Sequence, residues 1–435
     1  MGSMGLGFRV YTVAGVGLGL RWADTERPGM VWMTPGYFAF IMNASRAFIH
    51  FMRASRRRAR RGGPKNDRRR PKTTDVMTVV RDVALTDQEA AVYDRQIRVW
   101  GVETQRALRA ARVLVSCGRG RGGARARGLC AETLKNVVLA GVGEMTIRDD
   151  AEEGSRASFG TDGNFLNHRE DEDEDGDEDG DGDDSKMTLA ERMRRTLAEM
   201  NPFANVRAET TNGRALDEES DEYFGGFDCV VAVGYSRRAA ETVNAKCRDA
   251  KTRFFAGFCG AFASYFFVDL GDEHAYTASG AGGGAGAETF RARFAPMSTA
   301  FGPDGGERDW AAARKKTSKL PFAVRALWDF ERAHGRPATE GDVEAVAAAL
   351  RETATRAGKD AAFVPEDVVR AVAPSSMGMP AIDAVVGGIL GQEILKAVSG
   401  KGAPCVNFFV FDAASGCGTT FNASGVEQAR ASAAV

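Results

Sequence analysis

The chain has 435 residues, 43% of them hydrophobic and 9% aromatic, enough to bury one large core or two medium ones. Its 58 basic and 59 acidic residues nearly cancel, which excludes a uniform field of the kind that gathers nucleic acid. Seven cysteines without a CxxC pair indicate neither a disulfide framework nor a four-thiolate zinc site, and His50, His168, His274 and His334 lack the spacing of a histidine metal centre.

Residues 1–78 differ in composition from the rest. Their apolar patches VYTVAGVGLGL and YFAFIM fall short of the ~18 residues of a membrane span, and eleven basic residues lie between Arg53 and Lys72. The segment reads as a disordered basic extension, with an organellar leader, a nuclear-localisation arm and a leader without a role left open. LTDQEAAVYDRQ then opens a helix, with Thr86 as N-cap and Glu89 three residues on as a capping box. RVLV (112–115), EMTIRD (144–149), CVVAV (229–233) and TRFFAGF (252–258) are apolar runs of strand length separated by helix-like stretches. That alternation predicts an α/β fold with a Rossmann-like, doubly wound parallel sheet. AFASYFFVDLG adds a longer strand, and AIDAVVGGILGQEILKAV predicts a buried helix.

Low-complexity stretches divide this pattern. Glu170–Asp184 is a run of acids in which Asp171, Asp173, Asp175 and Gly176 match half of a calcium loop, but the twelfth position is Gly182 instead of a glutamate. The expectation is an acidic disordered insert over 169–186. A Gly/Ala linker covers 279–289, so the sequence divides into 79–278, a helical insertion 290–372, a closing helix and strand 373–425 and a tail 426–435.

The strand RVLVSC runs into GRGRGGARARGLCAETLKN. Gly118, Gly120 and Gly123 spell GxGxxG, but arginines separate them from a helix start expected near Gly128, and Cys130 stands where a further glycine would let helix and strand approach. The loop is too long and too substituted for a tight phosphate cradle. Asp149 and Asp150 end a strand where a ribose-binding acid would sit, and with the loop degraded they read as vestigial or structural. Cys259, among apolar neighbours, reads as a buried structural thiol.

Over about residues 85–421, in order, YDRQIRVWG, GLCAETLKNVVLAGVGEMTIRDD, AEMNPFANV, GFDCVVAV and VVGGILGQEILKAVSGKGAPCVNFFVFDA resemble the small subunit of the heterodimeric SUMO-activating enzyme, within the ubiquitin-activating enzyme superfamily. The resemblance implies the degenerate half of a ThiF/MoeB-like adenylation fold, with no nucleotide or metal bound by this chain alone and ATP and Mg2+ held by a larger catalytic subunit. It implies SUMO as the modifier and the SUMO-conjugating enzyme as an indirect partner, a nuclear and partly cytoplasmic location, and no nucleic-acid or membrane partner. The residues agree with a degenerate half: where catalytic halves carry Asp, Asn and Arg after CVVAV, this chain reads Gly234, Tyr235, Ser236 and Arg237. Two departures from the family stand out, an insertion of about eight residues in the glycine loop and the acidic run.

In the family, the first arginine of YDRQ, here Arg95, reaches across the heterodimer to ATP, and Arg98 lies one turn away on the same face. A planar, permanently charged guanidinium suits phosphate oxygens. The alternative for both arginines is a surface ion pair with Asp94 or Glu89, and Trp100 reads as packing. Rival assignments are the regulatory subunit of another modifier-activating enzyme, an NAD-dependent oxidoreductase and a purely structural binding module.

Overall fold

The structure is a computed structural model that describes residues 84–118, 125–150, 166, 188–209, 211, 213–260, 263–277, 288–336, 338–372, 379–423 and 426–430. The basic extension, the acidic run and most of the Gly/Ala linker lie outside these residues, as do Gly120 and Gly123.

Three short helices come first: α1 (Asp87–Val92), α2 (Asp94–Trp100) and α3 (Val102–Ala110). The predicted capping box is present, with Thr86 Oγ1 accepting from the Glu89 amide at 3.2 Å and the Glu89 carboxylate accepting from the Thr86 amide at 2.9 Å. Gly101 separates α2 from α3 at φ 91°, a conformation closed to most other residues. There follow β1 (Arg112–Cys117), α4 (Arg125–Leu139), β2 (Glu144–Asp149), α5 (Leu189–Met200) and β3 (Asn205–Glu209). After these come α6 (Asp221–Phe224), β4 (Cys229–Val233), α7 (Arg237–Asp249), β5 (Arg253–Cys259) and β6 (Ala263–Asp269).

The strand pair β7 (His274–Thr277) and β8 (Thr289–Arg293) precedes the helices α8 (Met297–Ala300), α9 (Pro303–Ala312), α10 (Leu320–His334), α11 (Val343–Arg356) and α12 (Glu366–Val372). The long helix α13 (Pro380–Ser399) and the strands β9 (Phe408–Asp412), β10 (Cys417–Phe421) and β11 (Glu427–Arg430) close the chain.

The central sheet has the order β10-β9-β6-β5-β4-β1-β2-β3. The five strands from β5 to β3 are parallel, as the alternation of strand and helix predicts, while β6, β9 and β10 pair antiparallel. A small sheet, β11-β8-β7, was not foreseen, because its strands are short and carry no apolar run.

Alternating side chains divide the core between the two faces of the sheet. Val113 and Val115 pack with α4, α5 and α13, whereas Leu114 packs with α7 and α10. The helix α4 starts at Arg125, three residues before the expected Gly128, so Gly128 lies inside its first turns. Glycine permits the close approach of α4 and α13: a Cβ on Gly387 would lie 2.5 Å from Glu132 Cβ, and one on Gly391 would lie 2.9 Å from Asn136 Cβ. Between β1 and α4, the sulfurs of Cys117 and Cys130 are joined, with Cα atoms 6.5 Å apart, where the cysteine spacing had suggested no pairing.

His274 is 5% exposed between the rings of Tyr276 and Phe294, and burial brings its pKa down to about 4, with Arg253 adding repulsion. A folded-state value below the unfolded one means that its contribution is complete above about pH 6.5 and is lost as pH falls toward 4. His274→Phe should therefore lose about 2 kcal/mol less stability than the parent between pH 7 and 4.5, measured by denaturant midpoints. Equal losses in the two proteins would remove His274 as the cause.

Candidate functional site

In a sheet of this topology a ligand binds beyond the carboxyl ends of the two strands where the winding reverses, here β1 and β4. Gly118 follows β1, and its amide donates to the Val233 carbonyl at 2.8 Å. The crevice between these strands is filled by the chain itself. A Cβ on Gly118 would lie 2.9 Å from the ring of Tyr235, which follows β4. Tyr235 Oη donates to Asp150 Oδ2 at 2.6 Å, which leaves Ser116 Oγ, also at 2.6 Å, as a donor to Tyr235. Burial, with Asp150 beside it, pushes the Tyr235 phenol well above its ordinary pKa, so it stays a neutral donor.

Asp150, 1% exposed, also accepts from Arg148 Nε at 2.8 Å and from the Leu216 amide at 2.9 Å. Arg148, itself fully buried, continues to Glu209 at 2.7 Å, Glu219 at 3.0 Å and the Arg214 carbonyl at 2.6 Å. The acid that sequence position suggested for a ribose is thus saturated by protein donors, and the saturated one is Asp150; Asp149 is half-buried at the end of β2. The cavity beside Tyr235 measures about 10 Å³ and is lined by residues including Ala232, Gly257 and Trp328. Among the described residues, Tyr235 over Gly118 and the committed Asp150 carboxylate do not offer a nucleotide the phosphate donors and free ribose acid that it needs. Among the described residues no group of His, Cys, Asp or Glu is arranged to hold a metal.

The second candidate surface is the helical entry. Tyr93 is buried, its hydroxyl accepting from Asn201 Nδ2 at 2.8 Å, and Gln96 Nε2 donates to the Leu139 carbonyl at 3.1 Å. Trp100 Nε1 donates to Gln105 Oε1 at 3.1 Å, and Gln105 Nε2 donates to the Ala140 carbonyl at 2.9 Å. These contacts clamp α2 and α3 to the end of α4 and turn Asp94, Arg95 and Arg98 outward. Arg98 pairs with Asp94 at 3.0 Å, Arg106 with Glu103 at 2.9 Å, Arg109 with Glu89 at 2.6 Å and Arg112 with Asp228 at 3.3 Å. Arg95 is exposed and has no carboxylate among the described residues. Around it Val92, Val99 and Val102 are 61%, 81% and 40% exposed.

No family model matches the chain. It is 34% identical over 340 residues to SUMO-activating enzyme subunit 1A of Arabidopsis thaliana, which spans 77% of this chain and 95% of that protein. It is 30% identical to SUMO-activating enzyme subunit 1 of Xenopus tropicalis over 368 residues and of Homo sapiens over 362, covering 96% and 95% of those proteins. The chain belongs to the SUMO-activating enzyme subunit 1 family.

The residues that the sequence singled out fall in different places. Arg95 is presented, and Arg98 is held in the ion pair that was its alternative. Gly118 lies under Tyr235, and a Cβ on Gly128 would lie 2.2 Å from Asp383 Oδ2. Cys259 is buried, with its thiol raised well above the ordinary value by burial and by Asp383. Sequence reasoning missed Arg148 and Asn201. The signal for both was a strongly polar residue inside an apolar run, as in EMTIRD and AEMNPF. Tyr235→Phe should keep the fold but cost about 1–3 kcal/mol, since it leaves one lone pair of a buried carboxylate without its donor. An unchanged denaturation midpoint would mean that the Tyr235–Asp150 bond contributes nothing.

Proposed function

We propose that this chain is the non-catalytic subunit of a heterodimeric SUMO-activating enzyme, inactive alone, and that it supplies Arg95 in trans to ATP held with Mg2+ by a larger catalytic subunit. One observation carries this reading: among the described residues Arg95 is the arginine of the helical entry that no carboxylate holds, and Val92, Val99 and Val102 of the same three helices are exposed. A partner covering that apolar rim would desolvate the guanidinium and raise its effect on an anion. The filled crevice at Tyr235 supports the division of labour.

In the pair, the carboxylate of the SUMO C-terminus attacks the α-phosphorus of ATP and pyrophosphate leaves, giving an acyl-adenylate. A cysteine of the larger subunit then displaces AMP to give the thioester, which passes to the conjugating enzyme. This chain's share is electrostatic: the Arg95 fork donates to phosphate oxygens as negative charge shifts toward the leaving pyrophosphate. The assembled enzyme acts in the nucleus and partly in the cytoplasm.

Arg95→Ala should leave the heterodimer assembled and slow SUMO-dependent ATP–pyrophosphate exchange ~10²-fold or more. Arg95→Lys should recover only part, because a point charge cannot replace a planar fork. An unchanged exchange rate in Arg95→Ala would falsify the role in trans. For the isolated chain, calorimetry with Mg–ATP should give no heat of binding at micromolar concentrations; saturable binding there would show that the Tyr235 crevice can open.

A further inference from the structure

We propose that the turn between α9 and α10, with the loop that follows α11, docks a carboxylate-rich segment of a partner protein. Five cations meet there: Arg314, Lys315, Lys316, Lys319 and Lys359. Arg314 Nη1 donates to the carbonyls of Ala311, Ala312 and Ala313 at 3.1, 3.2 and 3.2 Å, and Lys359 Nζ reaches the same Ala313 oxygen at 3.0 Å. Lys319 Nζ donates to the Arg314 and Lys315 carbonyls at 3.3 and 3.1 Å and lies 3.5 Å from the centre of the Phe363 ring.

Part of this cluster has a structural purpose. Carbonyls 311–313 end α9, and cations there answer its unsatisfied acceptors and the negative end of its dipole. That accounts for Arg314 and Lys359. It leaves Lys315 and Lys316, which are exposed and whose side-chain ammoniums have no partner among the described residues.

Several acids of α9, α11, α12 and their caps are paired elsewhere: Asp309 to Arg325 at 2.7 Å, Asp342 to Arg336 at 2.8 Å, Glu352 to Arg356 at 2.7 Å and Glu366 to Arg370 at 2.9 Å. Asp360 accepts from the Ala362 amide at 2.8 Å. Among the described residues none of the five cations reaches a carboxylate, in contrast to the paired arginines of the helical entry. Burial holds Lys319 below its ordinary pKa, as befits a cation without a counter-charge. Like charges gathered this way repel one another until an anion arrives.

The chemistry favours an acidic peptide over nucleic acid. Single strands bind on aromatic faces between cations. Here the Phe363 ring sits beneath Lys319, and the exposed large hydrophobic residues of the described chain are Val92, Val99, Val102 and Met379, none of them aromatic. The proposal does not depend on the role assigned to Arg95.

Fluorescence anisotropy of a labelled oligo-glutamate peptide with the full chain tests it. Binding should weaken with salt and fall by about ten-fold or more in Lys315→Glu/Lys316→Glu, while Arg351→Glu, a reversal on exposed α11, leaves it unchanged. If the reversal disturbs the circular dichroism, Lys315→Gln/Lys316→Gln makes the same comparison. Equal affinity in these variants, or tighter binding of a single-stranded DNA of equal charge, overturns the proposal. So does peptide binding that requires deletion of Glu170–Asp184, which would assign the cluster to the chain's own acidic run.

Discussion

The Asp150 carboxylate is the constraint on which the rest of this structure turns. Buried at the end of β2, it accepts from a guanidinium, a backbone amide and a phenol, so that moving the guanidinium leaves charge uncompensated in the interior and moving either neutral donor leaves a buried lone pair unsatisfied. The phenol is Tyr235, and its position closes the crevice at the reversal of the sheet. An ordinary α/β protein leaves that crevice for a ligand. Here Tyr235, Ser116 and Asp150 satisfy one another within that crevice.

The helical entry shows how such a group can be presented precisely enough to matter. Within VYDRQIRVWG, Tyr93, Gln96 and Trp100 hold the backbone through side-chain hydrogen bonds to Asn201, the Leu139 carbonyl and Gln105. Their hold is directional, so it sets the rotation of α2 as well as its position. With the helix axis and phase fixed, the freedom left to Arg95 is that of its own rotamers. Arg98, anchored to Asp94, shows what a solvated ion pair on the same helix looks like, and it is the contrast between the two that singles out Arg95.

Behind this face, α4 and α13 approach so closely that glycine is required at Gly387 and Gly391, and the same approach traps Asp383 against Gly128. Burial raises Asp383 to about 6, with Glu132 adding repulsion and a Cys259 hydrogen bond opposing it. A raised carboxyl contributes stability that is present below its unfolded value near 3.8 and is lost as pH rises through 6. The depressed His274 acts in the opposite direction over an overlapping window. The two groups sit in different parts of the fold, and their contributions partly offset each other across mildly acidic pH.

The strands β1, β4 and β5 and the helix α13 were legible because each is dominated by an apolar run of the right length, as burial on both faces of a parallel sheet demands, whereas β3, NVRAE, carries no such run and was not foreseen. The small sheet was not legible, since His274–Thr277 and Glu427–Arg430 pair through backbone groups that leave no trace in hydropathy. For the site, sequence recognised that Gly234 and Tyr235 stand where a metal carboxylate belongs, yet it could not say that the ring would turn back over Gly118. That outcome depends on a carboxylate 85 residues away, from Asp150 to Tyr235. Sequence spacing reports which groups share an element. A plugged crevice is a meeting of three elements, and only the folded arrangement of β1, β2 and β4 brings Ser116, Asp150 and Tyr235 within hydrogen-bond reach.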